Sequence, residues 1–454
     1  MIFIGLVIIA CVLYILDYKV VALVCFFFFM TSGFNLIPEE AMDIGIFSKG
    51  MDYAILILVG MIIVDTFCIK DYLKPDKFLW MIFIFYAFLA VCIVYNKFVI
   101  GTSWVEIIRT ARYNVLWLAY LVFRNLPKER LHHLLKCLFL VTVLCATLYL
   151  LQISLNKHIL NEGVKNYVML FGMKIPRFYN QPDMLQIFTF LAIYFNPYKG
   201  PAKIITTTIL IAALLGAFHR SLFFAFIFAI SIGYVIRLPR IKKVVALTSI
   251  TVVCFVFIAF FGYKFAGSRT VIDVTTVISG NVAAMEATDI DIEDLQNSTF
   301  TFRIVHLLER NKYLLEHPKA MLLGAGLMTE DSKLTDSMFD FDIGLVEETM
   351  GKTVQLDTPD ISYSVLFMRY GYFGTLLILS LYIFLLSYFY KNRKDTVGLF
   401  SFVHLTATMV ITFSSHILAQ PISFLLPLIT YHIVQKSNDG MNYIEEFKSL
   451  KNAD

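Results

Sequence analysis

A charged side chain at membrane depth costs about 2.5–3.5 kcal/mol on insertion scales. Charges that border apolar stretches are therefore the first places to look for chemistry. Arg220 lies in Leu214–Leu215–Gly216–Ala217–Phe218–His219–Arg220–Ser221–Leu222, with almost no loop between two apolar runs. Its plainer reading is a cation snorkelling to the headgroups. Arg177 lies in Lys174–Ile175–Pro176–Arg177–Phe178–Tyr179–Asn180–Gln181–Pro182–Asp183, where two prolines and two aromatics describe a shaped loop ahead of a span. Arg303 opens a stretch that reads as an amphipathic helix. A cation there opposes the helix macrodipole, and a bound anion would offset the conflict. Guanidinium forks match phosphate oxygens, so three such arginines suit a phosphorylated ligand.

Asp360 follows Leu356–Asp357–Thr358–Pro359 and precedes Ile361–Ser362–Tyr363, where an acidic loop enters an apolar run. It reads as a helix N-cap, as a carboxylate base, or as both. Arg369 lies nine residues on, about 900° of ideal helix, which places the two on opposite faces. Glu106, Arg109 and Arg112 are spaced by three and read as a local ion-pair group. Asp340–Phe341–Asp342 has the form of a divalent-metal DxD, although a stretch so rich in acids produces one easily by chance. His132–His133 has no accompanying ligand set, and no Walker A, HExxH or GxSxG pattern occurs.

These residues sit in a chain of 454 residues that is 58% hydrophobic and only 16% charged, with a mean hydropathy of +0.73. That composition excludes a soluble globule, a disordered chain and a coiled coil, and a net charge of +4 argues against nucleic acid. It predicts an all-α polytopic membrane protein. Spans of roughly 17–25 residues are expected at 2–16, 20–37, 53–68, 78–95, 105–123, 134–154, 184–196, 203–218, 221–236, 244–262, 362–389, 396–414 and 417–435. Two are short, so the reading is twelve or thirteen.

Residues 264–360 carry 17 of the 34 acids and 8 of the 38 bases, so one acidic segment interrupts a basic, apolar chain. Four regions follow: about ten spans in 1–262, a large loop at 263–361, three spans in 362–435, and a tail at 436–454. Within the loop, residues 268–299 are polar. Thr301 is positioned to cap a helix over 302–317 that Pro318 stops, and Leu322–Leu323–Gly324–Ala325–Gly326 reads as a tight turn. Lysine and arginine mark one set of alternating loops, including 70–77, 124–130, 199–203, 237–243 and 391–394, as cytoplasmic together with the tail. The large loop then faces outward. The first apolar stretch lacks a basic n-region and a cleavage site and reads as a membrane element. The seven cysteines lie in apolar runs without a CxxC or metal spacing.

Three separated signatures occur in order: Arg177 with Asn180 and Pro182 before a span, Gly216-x-x-x-Arg220–Ser221 between spans, and an outer segment. That segment carries Arg303, the Leu-Leu-Gly-Ala-Gly turn, and Asp360-x-x-Tyr363 ahead of Tyr370–Gly371–Tyr372–Phe373–Gly374. In this layout the chain resembles the O-antigen ligase/polymerase superfamily, the Wzy-type polymerases and WaaL-type ligases. The resemblance implies a GT-C-like helical glycosyltransferase with a large, partly helical periplasmic loop, in a bacterial inner membrane.

It further implies an undecaprenyl-diphosphate-linked glycan as donor, a glycan as acceptor, no cofactor, and a flippase and chain-length regulator as partners. By the same resemblance Arg177, Arg220 and Arg303 hold the donor diphosphate. Asp360 stands where ligases carry a histidine base, eleven residues before Gly371, and is followed by Ile361 instead of asparagine. This departure favours polymerase over ligase. Secondary candidates are Asp357, Tyr363, Arg369, His219 and Asn180, with Asp340 and Asp342 as a weak metal alternative. A flippase is the reading of a different class, but the long outer loop and the lack of an internal repeat speak against it.

Overall fold

A computed structural model describes residues 2–239 apart from positions 46, 48, 71, 162, 171 and 172. It also describes positions 242 and 245 and residues 299–344, 353–358 and 360–451. Apart from position 245, the expected span 244–262 lies outside the described residues, as do the polar stretch up to 298 and the acidic residues 345–352.

The chain is mostly helical. Its N-terminal half runs α1 (Ile2–Ile15), α2 (Lys19–Met30), α3 (Ser32–Asn35), α4 (Glu39–Met42), α5 (Gly50–Cys68), α6 (Lys77–Tyr95), α7 (Trp104–Ala111), α8 (Ala119–Arg124), α9 (Lys128–Leu155), α10 (Leu185–Tyr194), α11 (Gly200–Gly216) and α12 (Arg220–Arg237). After the undescribed stretch come α13 (Thr299–Glu316), α14 (Pro318–Leu323), α15 (Lys333–Met338), α16 (Ser362–Lys391), α17 (Thr396–Ile411) and α18 (Ile422–Lys451). Among the described residues, four helices are long and apolar enough to cross a membrane: Gly50–Cys68, Lys77–Ile100, Lys128–Leu155 and Ser362–Lys391. Six apolar helices are shorter. Polar residues start several of these runs: the Asp76 carboxylate accepts from the Phe78 and Leu79 amides at 3.0 and 2.9 Å, and Asp395 caps α17. Large apolar side chains such as Phe67, Leu144, Ile204, Phe224 and Leu376 point outward, a surface suited to lipid and not to water.

Several expectations need correction. The loop 155–183 contains an antiparallel hairpin, β1 (Lys165–Leu170) and β2 (Met173–Phe178), so the fold is not purely α. Pro176 is tolerated in β2 because a two-stranded ladder leaves one edge of each strand without a partner. The expected span 105–123 is broken: α7 gives way to a 3-10 segment, Arg112–Leu118, and then to α8. The Arg112 guanidinium pairs with Asp52 at the start of α5, which fixes residue 112 at that end of the bundle. Residues 112–124 then traverse about 23 Å at 3-10 and α rises. The Glu106–Arg109–Arg112 group does not pair internally as read, because Glu106 instead accepts from Ser332 Oγ at 3.1 Å. Helix α13 begins at Thr299, so Thr301 lies inside it, and Pro318 opens α14. The tail continues the helix α18 to Lys451.

Helices α13, α14 and α15 form a small layer of their own. Leu314, Phe339, Phe341, Leu356 and Met368 pack together, with Phe339 stacked on Phe341 at 5.6 Å. Arg310, 1% exposed, runs through this layer and donates to the Ile343, Val354 and Gln355 carbonyls. The layer is locked to α16 by two glycines. Gly371 (φ 63°, ψ −175°) breaks α16, and the Met368 carbonyl then accepts from the Ala325 amide at 2.6 Å. Gly324 (φ 86°) presses its backbone against that of Arg369 and Tyr370.

Candidate functional site

Four groups from four distant segments meet at the end of the bundle that carries the hairpin. The β2 strand brings Arg177 to the α11–α12 hinge, where its Nε donates to the Ala217 carbonyl at 3.2 Å. The guanidinium lies over the Tyr179 ring, 4.4 Å from its centroid. The hinge turns at Phe218 (φ 48°) and sets His219 as the cap of α12. His219 Nδ1 accepts from the Leu222 amide at 3.4 Å and lies 3.0 Å from Ser221 Oγ. An amide can only donate, so Nδ1 is the acceptor and the ring proton resides on Nε2.

Across from the hinge, Arg303 Nη2 pairs with Asp360 Oδ1 at 3.0 Å, and both side chains are partly buried. Arg303 Nε is buried with no hydrogen-bond partner among the described residues. Burial holds the His219 imidazole below its ordinary range, and Arg177 and Arg303 push it further down while Asp360 opposes them. His219 thus lies within electrostatic reach of all three and is neutral at pH 7. The arrangement is a neutral N–H donor beside two cations, one of them shared with a carboxylate.

The other sequence candidates divide. Arg220 is the first residue of α12; its side chain lies outside the described residues. Asp360 is not the N-cap of α16, since Ile361 occupies that position and Asp360 is engaged with Arg303. Asp357 pairs with Arg369, which also donates to the Met328 carbonyl at 2.9 Å, so these two form a strut between α16 and the outer layer. Asp360 precedes α16, so the helical spacing to Arg369 does not govern their contact; the carboxylate partner of Arg369 is Asp357. Tyr363 accepts from Thr412 Oγ1 at 3.2 Å. Asn180 is consumed structurally: its Oδ1 accepts from Gln152 Nε2 at 2.8 Å and its Nδ2 donates to the Asn161 carbonyl. Glu309 accepts from the Asp342 amide at 2.8 Å, and no three metal-ligating side chains gather among the described residues, at Asp340 and Asp342 or elsewhere.

One feature is absent from the candidates drawn from sequence. A cavity of about 190 Å³ opens between α10, α17 and the start of α18, and His219 forms part of its wall. Tyr179, Asp183, Gln186, His404 and Gln420 also line it. Its signal in the sequence is His404, an ionisable residue inside an apolar run, together with Asp183 and Gln186 just beyond the Arg177 motif.

Against known proteins, the chain matches no family model and no curated sequence.

Proposed function

We propose that the protein is an integral membrane glycosyltransferase that polymerises undecaprenyl-diphosphate-linked repeat units of a surface polysaccharide at the periplasmic face of a bacterial inner membrane. The resemblance of its motifs to the O-antigen ligase/polymerase superfamily supplies the reaction class and the GT-C-like fold. The observation that carries the reading is the meeting of Arg177, His219 and Arg303 with Asp360, with Arg303 Nε buried and unpaired among the described residues. A buried donor without a partner costs about 1–3 kcal/mol, and a diphosphate oxygen would satisfy it.

In this reading the acceptor hydroxyl attacks the anomeric carbon, the bond from that carbon to the diphosphate oxygen breaks, and undecaprenyl diphosphate leaves. Arg177 and Arg303 stabilise the charge that develops on the leaving group, as does the Nε2–H of His219. One oxygen of Asp360 accepts from Arg303. A diphosphate that draws Arg303 to itself frees this carboxylate to take the acceptor's proton, which couples donor binding to the appearance of the base.

The test is a chromosomal deletion complemented with Arg177→Ala or Arg303→Ala, read on a gel of surface glycans. Loss of the polysaccharide ladder with one repeat unit retained is expected. A normal ladder from either variant at equal membrane abundance would remove that arginine from the site. Loss of every capping glycan, including the single unit, would reassign the protein as a ligase.

A further inference from the structure

We infer that the cavity beside His219 is a sugar-binding subsite that receives one hydroxyl-rich ring of the acceptor glycan. Its role as an acceptor subsite rests on the glycosyltransferase reading; its ability to hold a sugar does not.

Two side chains on its wall have unused hydrogen-bonding capacity. His404 is 4% exposed, and neither of its ring nitrogens has a partner among the described residues. Gln186 Nε2 is likewise buried without one. Unsatisfied groups of this kind each cost about 1–3 kcal/mol, so the lining favours an occupant that can both donate and accept. A sugar hydroxyl does both. Asp183 and Gln420 add a carboxylate acceptor and a second amide. Asp183 lines the cavity at an exposed position.

Other occupants fit less well. Among the described residues no lysine or arginine lines the cavity. A single lining carboxylate, with no cluster of three metal-ligating groups among the described residues, does not make a cation site. The polar groups converge from three elements: Asp183 and Gln186 at the start of α10, His404 in α17, and Gln420 before α18. Such convergence is poorly matched to a lipid tail. At about 190 Å³ the space is smaller than the roughly 300–1,000 Å³ of drug-sized pockets, which limits entry to one ring. Tyr179 lines the cavity and holds the Arg177 guanidinium on its ring, and His219 belongs both to this wall and to the surroundings of the Arg303–Asp360 pair. A ring seated here would present a hydroxyl toward the donor.

The test is saturation-transfer-difference NMR on the full chain in lipid nanodiscs, with methyl glycosides of hexoses and N-acetylhexosamines offered one at a time. At least one glycoside is expected to show saturation transfer. The signal should fall at least fivefold in Gln186→Leu and in His404→Phe, and should persist in Arg303→Ala. Both cavity variants replace unsatisfied polar groups with apolar ones, so thermal midpoints equal to or above wild type are expected and separate loss of binding from misfolding.

Absence of signal from every glycoside, or a signal unchanged in both cavity variants, overturns the subsite and leaves the cavity to water. The donor reading fails separately, through a normal glycan ladder in Arg303→Ala. Glycoside binding with that normal ladder would leave a sugar site and remove its acceptor role.

Discussion

The Arg303–Asp360 pair joins two residues 57 apart in sequence, and its energetics set what a substitution there can reveal. Both partners are partly accessible, 16% and 24%, so the pair contributes on the order of 1 kcal/mol or less after solvent screening. Asp360→Asn keeps the size and one carbonyl acceptor for Arg303, and should lower thermal stability by no more than that. It removes the ability to take a proton, which typically carries 10²–10⁴-fold of rate. Transfer is therefore expected to fall by that factor with membrane abundance unchanged, measured with a lipid-linked donor and purified protein. Near-normal transfer by the Asn variant would leave Asp360 as a tether for Arg303 alone. At this scale the sequence was partly legible. Charges beside apolar runs stand out because membranes penalise them, and this draws attention to Arg177, His219, Arg303 and Asp360. It could not separate Asn180, which looks the same in sequence but is spent on Gln152 and Asn161. Nor could it show that Arg369 takes Asp357 as its partner, since that choice depends on the break in α16.

Among the elements, the junction of α14 with α16 explains why two glycine-containing motifs recur on either side of Asp360. A Cβ on Gly371 would lie 2.6 Å from the Met321 carbonyl oxygen and 2.7 Å from the Leu322 carbonyl carbon, at a φ of 63°. A Cβ on Gly324 would overlap the Arg369 backbone at a φ of 86°. Both contacts are with backbone, which cannot swing away. Gly371→Ala and Gly324→Ala should each cost about 2–4 kcal/mol, combining backbone strain with overpacking. Thermal unfolding in detergent measures this, and a variant within 0.5 kcal/mol of wild type, an approximate bound for neutral surface changes, would show that the junction relaxes. Helix α13 adds a pH dependence. His306 is 1% exposed and lies 3.1 Å from Ser364 on α16, between Phe302 and Arg310 on its own helix. Desolvation, with Arg310 adding to it, lowers its pKa to about 2. Above pH 6.5 it is neutral folded or unfolded, and stability is at its full value. Below 6.5 the unfolded chain binds a proton that the folded one refuses, so stability falls by up to about 1.4 kcal/mol per pH unit. A fall in the amide protection factors of residues 299–316, taken relative to the slower intrinsic exchange at low pH, is expected between pH 6.5 and 4, with a flatter slope in His306→Gln. An identical slope in that variant would assign the acid sensitivity elsewhere. The sequence made α13 readable through its apolar spacing, whereas the β hairpin and the 3-10 break at Arg112 depend on partners far away in the chain.

For the whole molecule, the distribution of lysine and arginine predicts two chemically different ends, and the contacts sort the loops in the same way. Arg130 pairs with Asp17 through contacts of 2.6 and 2.5 Å, Arg124 donates to the Lys74 carbonyl at 2.7 Å, and Lys436 donates to the Arg124 carbonyl at 2.9 Å. These bonds gather the α1–α2, α5–α6 and α8–α9 connections with α18 at one end. Because Asp17 belongs to that group, the turn after α1 is placed there too. At the other end, the Leu327 amide donates to Asn96 Oδ1 at 2.6 Å, Ser332 to Glu106 at 3.1 Å, and Ser362 Oγ to the Ser415 carbonyl at 2.7 Å. Arg177, His219, Arg303 and Asp360 belong with this second group. If the basic end is cytoplasmic, as the positive-inside bias requires, a reporter phosphatase fused after Ser332 is active, and one fused after Asn438 is inactive. Ser332 is the sharper position because its hydroxyl caps α15 and bonds Glu106, which ties the reporter to the same end as the proposed site. Phosphatase activity at Asn438, or its absence at Ser332 with the fusion intact on a blot, would invert the molecule. The arginines would then face the cytoplasm, where a donor already moved to the outer leaflet cannot reach them, and the polymerase reading would fall with the topology.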